Sequence, residues 1–88
     1  MADRVVQQTL TSIAANIRRI RLHRGLTQER LAELVNLEPR TIQYLETGRA
    51  NPSVGVVVTI AFALGVSAAT LLRPAILRPR PVGRPRKR

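Results

Sequence analysis

The side chains this 88-residue chain holds in quantity are those that bind anions: fifteen arginines and lysines stand against five carboxylates. One histidine, His23, one aspartate, Asp3, and no cysteine leave little from which to assemble a nucleophile with its base, or a Cys/His metal cluster. No acid–base pair or phosphate-cradling glycine loop is visible, so neither an enzyme nor a bound cofactor or metal is expected. Disulfide stapling is excluded. What remains is recognition by guanidinium and amide groups, and a formal net charge of +10 directs it at a polyanion.

The charge is unevenly placed. Residues 73–88 (RPAILRPRPVGRPRKR) carry seven of the fifteen cations and no carboxylate, which leaves eight cations against five carboxylates in residues 1–72. Pro74, Pro79, Pro81 and Pro85 forbid a regular helix there and favour an extended, self-repelling chain. The sequence therefore divides into a folded domain over 1–72 and a flexible Pro/Arg-rich tail over 73–88. Apolar residues make up 44% of the chain, with one tyrosine and one phenylalanine, so the core must be built from Leu, Ile, Val and Ala, which suits a small helical bundle. Ala50 to Leu72 holds no charged residue and has the length of a membrane span. Pro52, Gly55, Thr59, Gly65, Ser67 and Thr70 interrupt it, and it reads better as two short helices. The amino terminus, MADRVVQQT, lacks the apolar region of a secretory signal.

Spacing supplies the elements. Leu10, Ile13, Ala14, Ile17 and Ile20 recur at three and four residues and define an amphipathic helix that ends at Gly25, started by Asp3 or Thr9. Thr27 is the expected cap of a second helix with Leu31, Ala32, Leu34 and Val35 on its apolar side. That helix stops near Asn36, which tolerates left-handed backbone. A third follows with Glu38 as N-cap, Pro39 in its first position, Ile42 and Leu45 turned inward, and Gly48 as its end. Ser53 caps a fourth helix that runs to about Leu64 and is broken by Gly65; Ser67 caps a short fifth that ends before Pro74.

Two helices of about eight residues joined by a turn of about three have the dimensions of a helix-turn-helix, whose second helix enters the DNA major groove. The segments IRRIRLHRGLTQERLAELV, PRTIQYLETGRANPS and IAFALGVSAATLL, in this order, resemble the XRE (Cro/cI-type repressor-like) helix-turn-helix family, with residues 28–46 as the motif. The turn departs from the family's usual glycine at Asn36. The resemblance implies an all-α, five-helix, lambda-repressor-like fold that binds double-stranded DNA as a small regulator of transcription, in the cytoplasm and at the nucleoid when bound. It implies a phosphate contact for Gln28, base reading by Arg40 on guanine and by Gln43 on adenine, further groove contacts by Thr41 and Tyr44, and backbone contacts by Arg49 and Asn51. Pro39, where some relatives carry a polar reader, offers only apolar contact. Arg21 and Glu46 match positions that pair in relatives, and are expected to form a structural ion pair.

Two features go beyond that pattern. Val56, Thr59, Phe62 and Ala63 share a face of the fourth helix, and an apolar stripe there is expected to form a homodimer interface. The other reading folds the amino-terminal segment with Val5 and Val6 over the stripe. A second function class uses the same apolar face to hold a partner protein, as an antitoxin does. In the tail, Pro81 to Arg88 resembles a single AT-hook, in which Arg84 enters a narrow minor groove while Arg86, Lys87 and Arg88 meet phosphates. Val82 stands where an arginine usually precedes the Gly-Arg-Pro core, and the plainer reading is a polycation that strengthens any DNA binding by counterion release.

Overall fold

The computed structural model describes residues 2–75, which form five helices: α1 (Ala2–His23), α2 (Gln28–Val35), α3 (Pro39–Leu45), α4 (Val54–Leu64) and α5 (Ala68–Leu72). The all-α, five-helix expectation holds, with no strand among the described residues. Three hydroxyl side chains start three of these helices. Thr27 accepts from the Arg30 amide at 2.9 Å, Ser53 from the Val56 amide at 3.1 Å and Ser67 from the Thr70 amide at 3.2 Å, each satisfying a donor that has no intrahelical partner. Glu38 has the extended backbone of an N-cap but makes no side-chain capping bond, and Pro39 starts α3 by its fixed φ instead.

Four turns use left-handed backbone, at Gly25, Asn36, Gly48 and Gly65. Asn36 ends α2 at φ 57 and is the one non-glycine residue with positive φ among those described, the conformation for which asparagine is the least costly substitute for glycine. Gly48 sits buried at φ +83 after α3, where a Cβ would stand 3.6 Å from the Cα of Thr11, so the backbone of the loop rests directly on α1.

The core draws side chains from every helix. Ile17, Leu31, Ile42, Ile60, Leu64 and Leu71 are fully buried, each worth about 1.5–3 kcal/mol in apolar transfer. Leu34, expected on the apolar side of α2, is instead 46% exposed. The buried stripe of that helix is Leu31, Ala32 and Val35, and at 3.6 residues per turn Leu34 falls roughly 100° from its centre.

α1 is longer than its apolar stripe. Neither Asp3 nor Thr9 caps it: the helix runs from Ala2 with Asp3 inside its first turn, and the Thr9 hydroxyl donates to the Val5 carbonyl at 3.0 Å within it. At the other end of the fold, Asn16 of α1 is buried and its amide donates to the carbonyls of Leu71, in the last turn of α5, and Arg73, just after it, both at 2.9 Å. The Ala75 amide donates to the Ser12 hydroxyl at 3.1 Å. The chain leaving α5 is thus tied back onto α1. α4 stops at Gly65 after eleven residues, and no helix among the described residues is long and apolar enough to cross a membrane.

Candidate nucleic-acid interface

α2 and α3 pack on each other through Ala32, Leu31, Ile42 and Leu45, all at most 4% exposed. Ala32 is 1% exposed, and the small side chain lets the helices approach closely. With Ile42 and Leu45 turned inward, the helical period sends Arg40, Thr41, Gln43 and Tyr44 to the opposite side of α3, and all four are exposed. Tyr44, at 53%, keeps its ring and hydroxyl in solvent.

The segment after α3 turns sharply. The Thr47 hydroxyl donates to the Tyr44 carbonyl at 2.6 Å and accepts from the Arg49 amide at 3.2 Å, which places Arg49 beside the end of α3. Arg49 and Asn51 are both exposed. The ion pairs among the described residues are Arg21 with Glu46 and Arg30 with Glu33, so Arg40 and Arg49 carry charges with no carboxylate in reach.

Beneath this surface lies a buried polar network. The Arg21 Nε donates to Glu46 Oε2 at 2.7 Å, Nη2 donates to Oε1 at 3.0 Å, and Nη1 donates to the Leu26 carbonyl at 2.8 Å. The hydrogen bond with Glu46 raises the pKa of the guanidinium further above its ordinary value, against the opposing effect of burial. Glu46 Oε1 also accepts from the Gln28 amide at 3.0 Å. A single carboxylate at the end of α3 therefore holds both the first residue of α2 and the last turn of α1. Gln28 is half-buried, with one amide hydrogen spent on Glu46 and the other left for an external acceptor. The link from Gln28 to Glu46 was not legible in the sequence; a glutamine at the start of one helix and a glutamate at the end of the next were its only signal.

A second such tie is made by Arg24, whose Nε donates to the Leu64 carbonyl at 2.8 Å and satisfies an end of α4. No group of three or more His, Cys, Asp or Glu among the described residues is placed to hold a metal ion.

Residues 17–71 match the family profile described as Helix-turn-helix. The chain belongs to the helix-turn-helix family. Among helix-turn-helix relatives, an uncharacterised helix-turn-helix-type transcriptional regulator of Sinorhizobium fredii is 37% identical over 62 residues, which is 70% of this chain and 80% of that protein. The crystal structure of a hypothetical transcription factor from Neisseria superposes with a TM-score of 0.74 at 33% identity, over 78% of this chain and 79% of the other. The restriction-modification controller protein of Aeromonas hydrophila superposes with a TM-score of 0.68 at 31% identity, over 70% of this chain and 94% of the other.

The α4 stripe takes a different form from the one expected. Thr59 and Phe62 are exposed, Phe62 at 86%, but Val56 and Ala63 are partly buried and pack against the core. The apolar residues that face outward with Phe62 are Val54 and Val58, at 79% and 48%. Val5 and Val6 do not fold over Phe62; they remain on α1 at 61% and 46% exposure. Arg84, Arg86, Lys87 and Arg88, with the AT-hook reading, lie outside the described residues.

Proposed function

We propose that the chain is a sequence-specific double-stranded-DNA-binding protein that acts as a small transcriptional regulator of the repressor or controller type. The observation that carries this reading is the composition of the outward side of α3: Arg40, Thr41, Gln43 and Tyr44 together, unpaired and exposed, on a helix locked by Ile42 and Leu45. Arg40, in the first turn, reads guanine through its bidentate fork; Gln43, one turn later, pairs with adenine; Thr41 and Tyr44 add a thymine methyl or a phosphate. Gln28, with Arg49 and Asn51, holds the phosphate backbone on either side.

The names borne by its relatives, a transcriptional regulator, a transcription factor and a controller protein, support regulation. The scarcity of acid–base side chains supports binding over catalysis. The protein works in the cytoplasm, at the nucleoid when bound, and as a homodimer on two half-sites one helical turn apart. Genomic footprinting with purified protein tests this reading. Protected sites with paired half-sites are expected for the wild type and their loss for Arg40→Ala; an equal, sequence-blind footprint for both proteins overturns it.

The 86% exposure of Phe62 favours one other reading, in which the outward face of α4 holds a partner protein and DNA contact is secondary. An Arg40→Ala variant indistinguishable from wild type on all DNA would favour it.

A further inference from the structure

A second cationic surface lies apart from α3. Arg18, Arg19, Leu22 and His23 of α1 line one side of a groove of about 1090 Å³, and Arg73 and Pro74, which follow α5, line the other. The segment beyond α5 is fixed in place there. The Asn16 amide donates to the carbonyls of Leu71 and Arg73, both at 2.9 Å, and the Ala75 amide donates to the Ser12 hydroxyl at 3.1 Å. The Arg19 Nη2 donates to Asn16 Oδ1 at 3.3 Å, which sets its guanidinium beside the same asparagine.

We propose that this groove docks an acidic segment of a partner protein, one that carries carboxylates on both sides of an apolar side chain. No residue of α3 or α4 lines the groove, so the surface is separate from Arg40 and from Phe62. The inference does not rest on the DNA-regulator reading. Three observations select the occupant.

The first is charge. Arg18, Arg19 and Arg73 are exposed, and the ion pairs among the described residues, Arg21 with Glu46 and Arg30 with Glu33, include none of them. None of the chain's five carboxylate side chains lines the groove, and residues 76–88 contain no acidic side chain. The countercharge therefore comes from another molecule. Guanidinium groups are suited to carboxylate oxygens, which they grip with two parallel hydrogen bonds.

The second is the apolar residue among the cations. Leu22 is 51% exposed and stands one turn from Arg18 and beside His23. A phosphate backbone offers nothing to cover it. A peptide does, since an aliphatic or aromatic side chain on Leu22 and Pro74 adds apolar burial to the charge pairing.

The third is placement. At 3.6 residues per turn, Arg19, Leu22 and His23 lie roughly 100–160° around α1 from Arg21, the side chain that reaches the end of α3. α5 packs on α1 and α4, whereas α3 packs on α2. A duplex held against α3 is on the other side of α1 from this groove, so both surfaces can be occupied at once.

Fluorescence anisotropy of the full chain tests the proposal with a labelled peptide in which leucines alternate with pairs of glutamates. A second peptide with serine for every leucine is the control. At physiological ionic strength the wild type is expected to bind the leucine peptide more tightly than the serine peptide. Arg18→Glu and Arg73→Glu should each weaken the leucine peptide by at least about tenfold, with unchanged helical circular dichroism. Leu22→Ser should abolish the preference for leucine, and Arg40→Ala should bind the peptide as the wild type does. The tail is the same in every variant, so differences among them report the groove alone. No binding of the leucine peptide, equal binding of the two peptides by the wild type, or variants that bind as the wild type does would each overturn the proposal. So would Arg18→Glu and Arg73→Glu proteins that lose duplex DNA as strongly as peptide, since that outcome assigns the groove to nucleic acid. Loss of DNA sequence preference in Arg40→Ala is read on duplexes in parallel, and its failure counts against the DNA reading only.

Discussion

Arg21 and Glu46 are joined by two hydrogen bonds, Nε to Oε2 at 2.7 Å and Nη2 to Oε1 at 3.0 Å, with side chains only 7% and 4% exposed. The pair clamps α1 to the end of α3. Its carboxylate also holds Gln28, so the angle between the two helices of the motif is set by a group that touches both.

Removing one side of this pair leaves the other charge buried without a counterion. Glu46→Ala is expected to cost about 3–5 kcal/mol. For a domain of this size that is a Tm lower by about 12 °C or more. Glu46→Gln keeps one acceptor and should lose less. Thermal and urea unfolding followed by circular dichroism measure both. The folded-state pKa of Arg21 lies above its unfolded value, so its stabilisation is fully present below the unfolded pKa and fades only as strong alkali carries the pH through the folded value. Arg21 therefore adds no pH dependence near neutrality.

Arg40→Ala should weaken binding to the specific site by about 1–3 kcal/mol, roughly 5- to 150-fold, and relax the preference for guanine at one position. Stability should change little, because the side chain is exposed and has no carboxylate partner. Arg49→Ala should instead weaken all sequences alike. Competition binding with base-substituted duplexes separates the two outcomes; a uniform loss for Arg40→Ala would assign that residue to the backbone.

Asn16 ends α5 from another helix by satisfying the carbonyls of Leu71 and Arg73. Asn16→Ala strands these acceptors, at a cost of about 1–3 kcal/mol. Hydrogen exchange should show the loss concentrated in α5, and a uniform effect across all five helices would argue against this local role.

Cutting the chain after Ala75 removes Arg78, Arg80, Arg84, Arg86, Lys87 and Arg88 but keeps the Ala75 amide on Ser12. For every DNA phosphate that the tail neutralises in the full chain, the slope of log affinity against log salt should become shallower by about 0.9. An unchanged slope would show that the tail does not touch DNA. Loss of a preference for A/T flanks as well would favour the AT-hook reading over a simple polycation.

Much of this fold is written in local pattern. The three- and four-residue apolar spacing of α1, the hydroxyl caps at Thr27, Ser53 and Ser67 and the left-handed stop at Asn36 depend on neighbours within a turn or two, so the five helices were legible without their packing. Arg40, Thr41, Gln43 and Tyr44 share a face for the same reason: once Ile42 and Leu45 point inward, the helical period leaves them outward.

Faces without a polar side to mark them were decided elsewhere. α4 (VGVVVTIAFAL) is apolar around its circumference, and nothing in its own pattern says which side meets the core. Only the arrangement of its neighbours turned Val56 and Ala63 inward and left Val54, Val58 and Phe62 in solvent. The same holds for the long-range polar bonds. The sequence alone placed Thr27 as the cap before Gln28 and the end of α3 near Gly48, but a hydrogen bond between Gln28 and Glu46, eighteen residues apart, needs both helices in place. Local pattern sets the helices and their polar faces, because those follow from backbone geometry within a turn. Tertiary packing decides which apolar face is spent on the core and which is left for something else to cover.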